Sequence, residues 1–197
     1  SEHPFEKGSI QYEFIQYDLE KSLQDPSILW RVVFMHKPMY TTSDFDEKAS
    51  EDLKTTFHEL LERYNVDLIL SGHTQYYQRS VPLSYNNYDP AYPVTKDQNN
   101  YDHSDQDGII FLTAGTAGDK LHNIDYFLPY YVIQERYFGF LNFDLLNSDH
   151  TLIGTFYETD NHSILDKFEI SKDMTGKKTY SDENPQQYND EHNDKLV

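Results

Sequence analysis

Val66-Asp67-Leu68-Ile69-Leu70-Ser71-Gly72-His73-Thr74-Gln75-Tyr76-Tyr77-Gln78-Arg79-Ser80 is the stretch whose reading decides the fold. Val66–Leu70 reads as a short apolar strand that stops at Ser-Gly-His. A buried strand running into glycine and then histidine aims that histidine off the end of a sheet, where open α/β sheets place their ligands. Upstream, Ile28-Leu29-Trp30-Arg31-Val32-Val33-Phe34-Met35 repeats the pattern and ends at His36-Lys37-Pro38. Between the two strands Phe45-Asp46-Glu47 opens a helix, with Asp44 or Asp46 as N-cap, that runs to about Tyr64. Leu53, Phe57, Leu60 and Leu61 fall on one face of it. Strand, helix, strand is a βαβ unit, whose crossover is right-handed and whose strands are parallel. The two histidines therefore leave from the same edge of one sheet.

Working outward, Ile10, Phe14, Ile15, Leu19 and Leu23 recur at helical spacing, and Asp25-Pro26 ends the amphipathic helix they define. Residues 84–107 form a long insert rich in Tyr, Asn and Asp, of a length that is usually functional or mobile. Ile109–Ala114 is another apolar strand, closed by Gly115-Thr116-Ala117-Gly118, whose small residues let backbone approach something closely. An irregular stretch precedes three strands, Tyr137–Leu145, Thr151–Glu158 and Ile164–Ile170, with short turns between them. Alternation of Phe138, Phe140, Asn142 and Asp144 against Leu141, Phe143 and Leu145 predicts an antiparallel meander with one wet face. The polar segment from Lys172 onward is expected to be a disordered tail, so the folded part is placed at residues 1–171 and the tail at 172–197.

Composition bounds the function classes. The 197 residues suffice for one domain with a core, and the formal charge is −18. That charge argues against nucleic-acid binding, which needs a basic footprint, and against adhesion to anionic membranes. Without cysteine there is no disulfide and no thiolate metal site, so any metal falls to His, carboxylate, amide, Tyr or backbone oxygen. No apolar run approaches the ~20 residues of a membrane helix, so no membrane insertion is expected. Ser1-Glu2-His3-Pro4 does not read as a signal peptide.

The ordered motifs carry a resemblance. Val33-Phe34-Met35-His36-Lys37-Pro38-Met39-Tyr40 matches the V-x-x-H-x-P-x-Y stretch of calcineurin-like metallophosphoesterases, especially their purple acid phosphatase branch. Gly72-His73-Thr74-Gln75-Tyr76-Tyr77-Gln78-Arg79 is similar to that branch's G-H-x-H-x-Y-E-R. The first helix, the Ile109–Gly118 strand and the final meander also stand in the family's order, so the resemblance covers roughly residues 10–171. It implies an α/β fold, a four-layer α/β/β/α sandwich. This chain would supply the C-terminal half, with a mixed sheet and a terminal antiparallel meander. It further implies hydrolysis of phosphate esters at a site holding two transition metals, Fe, Zn or Mn. Secreted members of the branch and the acidic composition together suggest an extracellular or cell-envelope location.

Carried over position by position, the resemblance makes His36 and His73 ligands of one metal. Gln75 stands where a second histidine would ligate the other, and as an amide it is a weak ligand. Tyr40 matches a cleft-lining position, and Arg79 an arginine behind the ligands or in the framework, one that pairs with a carboxylate. The family's D-x-G, G-D-x-x-Y and G-N-H-D/E motifs have no counterpart here, which makes the missing N-terminal half of the domain an expected partner alongside the phosphate-ester substrate. The contrasting reading is a degenerate phosphoesterase scaffold acting as a non-catalytic binding or structural module. His103-Ser104-Asp105-Gln106-Asp107-Gly108 lacks the later acid of a calcium loop and reads as a solvated loop; His58, His122, His150 and His162 receive no role.

Overall fold

A computed structural model describes residues 4–44, 47–95, 108–118 and 120–182. The elements run α1 (Ile10–Gln24), β1 (Val32–Met35), α2 (Glu47–Arg63), β2 (Leu68–Ser71), β3 (Tyr77–Ser80), β4 (Ile110–Ala114) and β5 (Tyr131–Glu135). The meander follows as β6 (Gly139–Leu146), β7 (Thr151–Glu158), β8 (Ile164–Lys172) and β9 (Lys178–Asp182). They build a five-stranded sheet of order β1-β2-β4-β3-β5 and a four-stranded antiparallel sheet β6-β7-β8-β9.

Helix α1 begins where Ser9 caps it, its hydroxyl accepting the Tyr12 N–H at 3.2 Å. Asp25 ends the helix in extended backbone and its carboxylate accepts from Ser27 N–H. Helix α2 buries Phe57, Leu60 and Leu61, with Leu53 partly covered beside them, as the spacing predicts. Its predicted opening at Phe45 and Asp46 lies outside the described residues. β1 and β2 pair in parallel with Met35 opposite Ser71, and α2 crosses over between them.

The layers follow from which residues each sheet face buries. One face of the mixed sheet packs on α1 and α2 through Tyr12, Leu19, Phe57, Leu61 and Ile69. The other packs on the meander, where Leu68, Ile110 and Leu112 meet Phe156, Phe168 and Ile170. The described residues thus supply three layers, helices on sheet on sheet, of the expected four. The wet face of the meander is there too: Phe140 is half exposed and stacks on Tyr157.

Three strands escape sequence reading, and one boundary is corrected. β5 and β9 fall in segments expected to be irregular or disordered, and no element is predicted over β3. The tail does not start at Lys172: β8 runs through that residue, and β9 pairs with it from Phe168↔Asp182 to Lys172↔Lys178. Residues 183–197 lie outside the described residues, as do 96–107 of the long insert. β1 is shorter than expected: the ladder starts at Val32, and before it the Arg31 carbonyl bonds across, accepting the Asp67 N–H at 2.9 Å. Among the described residues no helix is long and apolar enough to cross a membrane.

Candidate metal site

The parallel register brings the two histidines together. Met35 lies beside Ser71, so His36 and Gly72 leave the sheet side by side, and the Gly72 N–H donates to the His36 carbonyl at 3.2 Å. One residue later the chain folds back sharply. His73 has φ +62°, and the Thr74 N–H donates to the Gly72 carbonyl at 2.7 Å, the bonding pattern of a tight three-residue turn. A non-glycine residue there costs of order 1 kcal/mol or more, and such outliers cluster where function fixes a side chain. The turn swings the imidazole over β1. His73 Nδ1 stands 3.0 Å from His36 Nε2, with the rings edge-on at 4.7 Å between centroids.

That spacing suits one hydrogen shared between two ring nitrogens, and it equally suits one metal ion. Two nitrogens each about 2.0–2.1 Å from a common ion are roughly 2.9 Å apart at a right angle and about 3.3 Å apart in a tetrahedron. Neutral imidazole is a ligand for Zn, Fe or Mn. His36 is exposed and His73 partly so, which leaves the pair open to solvent. The donor set stops at two histidines: among the described residues no group of three or more His, Asp or Glu could hold a metal ion. The chain thus fits one metal with two of its ligands.

The surroundings are rigid because polar side chains lock them. The loop after β1 is pinned from β3 and its approach: Tyr76 OH meets Thr41 Oγ1 at 3.0 Å and accepts from Thr42 N–H at 3.1 Å. Gln78, fully buried, donates from Nε2 to the Tyr40 carbonyl and to Tyr131 OH, and accepts from Thr42 Oγ1. A carboxylate at position 78 could not donate those hydrogens, which gives the amide a structural reason. Gly115 is a contact point, since a Cβ there would stand 2.1 Å from the Thr74 carbonyl oxygen. Gln75 is held by its backbone: its N–H donates to His122 Nδ1 at 3.3 Å and its C=O accepts the His122 main-chain N–H at 2.9 Å.

Tyr40 is corrected: it does not line a cleft. It is 2 % exposed, packs edge-on against Phe111, and its hydroxyl bonds His58 Nδ1 at 2.9 Å. Burial raises the phenol pKa, so the hydroxyl is the donor of that bond and the His58 nitrogen accepts. His58, whose sequence position gives no signal, is the partner that fixes it. Its Nε2 faces the Leu83 carbonyl at 3.2 Å and must carry the hydrogen, and burial holds its pKa down at about 4. Arg79 is 3 % exposed and grips Asp166 of β8 through Nε at 2.7 Å and Nη2 at 2.8 Å, and Asp182 of β9 at 2.8 Å. It joins the two sheets rather than facing solvent, in line with the carboxylate pairing expected for it.

Comparison with known proteins completes the picture. The sequence profile of the family described as Calcineurin-like phosphoesterase matches residues 3–77, a span that contains both histidines. The chain is 34% identical over 117 residues to purple acid phosphatase 21 of Arabidopsis thaliana, covering 59% of this chain and 23% of that protein. It is 27% identical over 183 residues to the probable inactive purple acid phosphatase 24 of the same plant, covering 88% and 28% respectively. The fold matches that of the purple acid phosphatase PPD1 from yellow lupin (Lupinus luteus) seeds with a TM-score of 0.69 at 24% identity, over 88% of this chain and 30% of that one. The chain spans about a quarter to a third of the length of these relatives. The chain is thus similar to calcineurin-like phosphoesterases over residues 3–77 and to purple acid phosphatases in sequence, and it shares the fold of one of them.

Proposed function

We propose that this chain is the portion of a metal-dependent phosphoesterase that supplies two histidine ligands to a dinuclear site. The observation that carries the reading is the convergence of His36 Nε2 and His73 Nδ1 to 3.0 Å at the ends of two parallel strands. Bound there, metal would supply Lewis acidity toward water and stabilise the charge on the phosphoryl oxygens and the departing alcohol oxygen. The chain's own part is to hold both imidazoles by rigid backbone: Gly72 ties the strand ends, and the strained turn at His73 aims the ring. Gln75 is at most a weak ligand. Tyr40 and Arg79 support the fold around the site and take no part in the chemistry.

The remaining ligands would come from further polypeptide, and the surface beside His36 is suited to receive it. β1 is the terminal strand of its sheet, and Phe34 in its middle is 77% exposed. On α1 next to it Ile10 and Phe14 are exposed as well. An N-terminal half that adds a strand to β1 would end beside the histidines and cover those apolar side chains. The test is chelator-sensitive hydrolysis of p-nitrophenyl phosphate by the gene product that contains this chain. We expect turnover there, negligible turnover from residues 1–197 alone, and a loss of at least about a hundredfold in His36→Ala, since even partners behind a metal ligand cost 10–100-fold. An extracellular or cell-envelope location belongs to the same reading.

Gln75 favours a second reading, a non-catalytic scaffold, because an amide stands in the place of an imidazole and one relative is named as inactive. A gene product that folds, binds no transition metal and turns over no phosphate ester would establish it in place of the first.

A further inference from the structure

A second site lies at the other end of the same sheet. Arg31 and Asp67 precede β1 and β2, whereas His36 and Gly72 follow them. Arg31 and His36 stand five positions apart on extended chain, roughly 17 Å at strand rise. At this end a cavity of about 630 Å³ opens between the helix–sheet junction and the β8–β9 turn, lined among others by Arg31, His150, Lys172, Lys177 and Lys178. The whole chain holds only 16 Lys and Arg against 34 acidic residues, yet four of the 16 face this one cavity.

The cations are close-set. Asp67, wholly buried, lies between Lys172 Nζ at 2.8 Å and Lys178 Nζ at 3.0 Å. Its Oδ2 also accepts the Arg31 N–H at 2.9 Å. Arg31 turns its guanidinium to Ser22, a neutral partner, through Nε at 3.0 Å and Nη2 at 2.6 Å. One carboxylate thus pairs with two lysines, and its third contact is the Arg31 main-chain N–H. Burial lowers the Lys172 pKa and Asp67 opposes that, while Lys178 and Arg31 push it down further, the mark of crowded like charge. The lining itself holds two carboxylates, Glu62, which accepts the Tyr85 N–H at 2.7 Å, and Asp173, whose Oδ1 accepts the Thr175 and Lys177 N–H groups of its own turn, so with Asp67 behind them the four cations exceed the carboxylates by one.

We infer that this cavity binds a phosphate-class oxyanion, free or as the head of a small phosphate ester, with Arg31 and Lys177 as its contacts and Lys172 and Lys178 as the positive floor. A partly buried excess of positive charge in a chain of charge −18 favours an anionic ligand, because in a low-dielectric recess charge is compensated or costly. Guanidinium and ammonium donors suit tetrahedral oxyanions. The cavity lies within the size range of small-molecule sites, larger than phosphate alone requires.

The experiment titrates the chelator-treated chain of residues 1–197 with inorganic phosphate, and separately with glycerol phosphate, by calorimetry and amide NMR at low salt. Saturable binding at one site is expected, with shifts centred on Arg31, Asp67 and residues 172–178. Arg31→Gln should weaken it about tenfold or more, as loss of a charge-assisted contact does. Lys177→Gln, at an exposed position, keeps the fold and should weaken it by a smaller factor, while His36→Ala should leave it unchanged. Tighter binding of the ester would assign the rest of the cavity to its organic part; equal affinity would assign the site to phosphate. Absence of saturable binding by either probe overturns the proposal, and so does binding that His36→Ala abolishes but Arg31→Gln and Lys177→Gln leave intact.

Discussion

Replacing Asp166 with alanine is expected to lower the unfolding free energy by about 3–5 kcal/mol, the range for removing one partner of a buried ion pair. The residue accepts both nitrogens of the Arg79 fork and, at 2.6 Å, the Tyr77 hydroxyl. Burial alone would disfavour the Arg79 charge; Asp166 and Asp182 reverse that and hold the guanidinium above its usual pKa. In Asp166→Ala the cation keeps Asp182 only, and Tyr77, stacked on Phe156 at 3.9 Å, loses its acceptor. The network spans β3 on one sheet and β8 and β9 on the other, so the loss loosens the packing of sheet on sheet. A total stability of about 5–15 kcal/mol leaves little margin. Urea unfolding checks it: the midpoint should fall with an unchanged slope. The double variant Arg79→Met, Asp166→Leu should recover much of the loss, because apolar replacement of a whole buried pair is often near neutral. A cost under about 1 kcal/mol for Asp166→Ala would show that the pair is not a main tie between the sheets.

Acid should destabilise the protein through His58 as pH falls from about 6.5 to about 4. In the folded state burial lowers the imidazole pKa from 6.5 to about 4. The unfolded chain therefore binds a proton that the native state refuses between those values, and stability falls as pH falls through that window. The stabilisation relative to full protonation is complete above about pH 6.5. Its loss by pH 4 is about 3 kcal/mol, since each pH unit between the two values is worth about 1.4 kcal/mol. Protonation would place a hydrogen on Nδ1, facing a Tyr40 hydroxyl that burial keeps in its neutral, donating form. His58→Gln is expected to be less stable at neutral pH by about 1–3 kcal/mol, since its amide cannot reproduce both bonds, and to lose most of the slope between pH 6.5 and 4. Thermal unfolding across that range, for both proteins, decides it; parallel profiles would assign the acid sensitivity to other groups.

The contrast between these two networks and the histidine pair shows what a sequence can disclose. His36 and His73 are legible because each follows an apolar run, and parallel pairing then puts both at one edge. Their strained juxtaposition is not, since the turn at His73 is a property of backbone rather than composition. β3 is hidden because Tyr77-Gln78-Arg79-Ser80 looks hydrophilic, yet all four residues are buried with long-range partners to satisfy them. β9 reads as tail for a similar reason: its Lys178, Tyr180 and Asp182 meet partners far away in sequence, at Asp67, Gly108 and Arg79. His58 gives no sign, because its two partners lie 18 and 25 residues away. Hydropathy marks what is buried without partners and passes over what is buried with them. Tyr40 misleads on the same account, its motif position fitting a cleft while its hydroxyl is satisfied inside.

The central claim is that His36 and His73 close on one metal ion. Titration of the chelator-treated chain with Co²⁺, followed by visible absorption and by the imidazole NMR signals, addresses it without reference to turnover. One equivalent should bind at pH 7, shifting the signals of both rings together, with weak affinity because the described residues offer two strong ligands. His36→Ala and His73→Ala should each abolish binding, whereas Gln75→Ala should change it little. Binding that survives both histidine variants, or an absence of binding up to millimolar metal, would contradict the account.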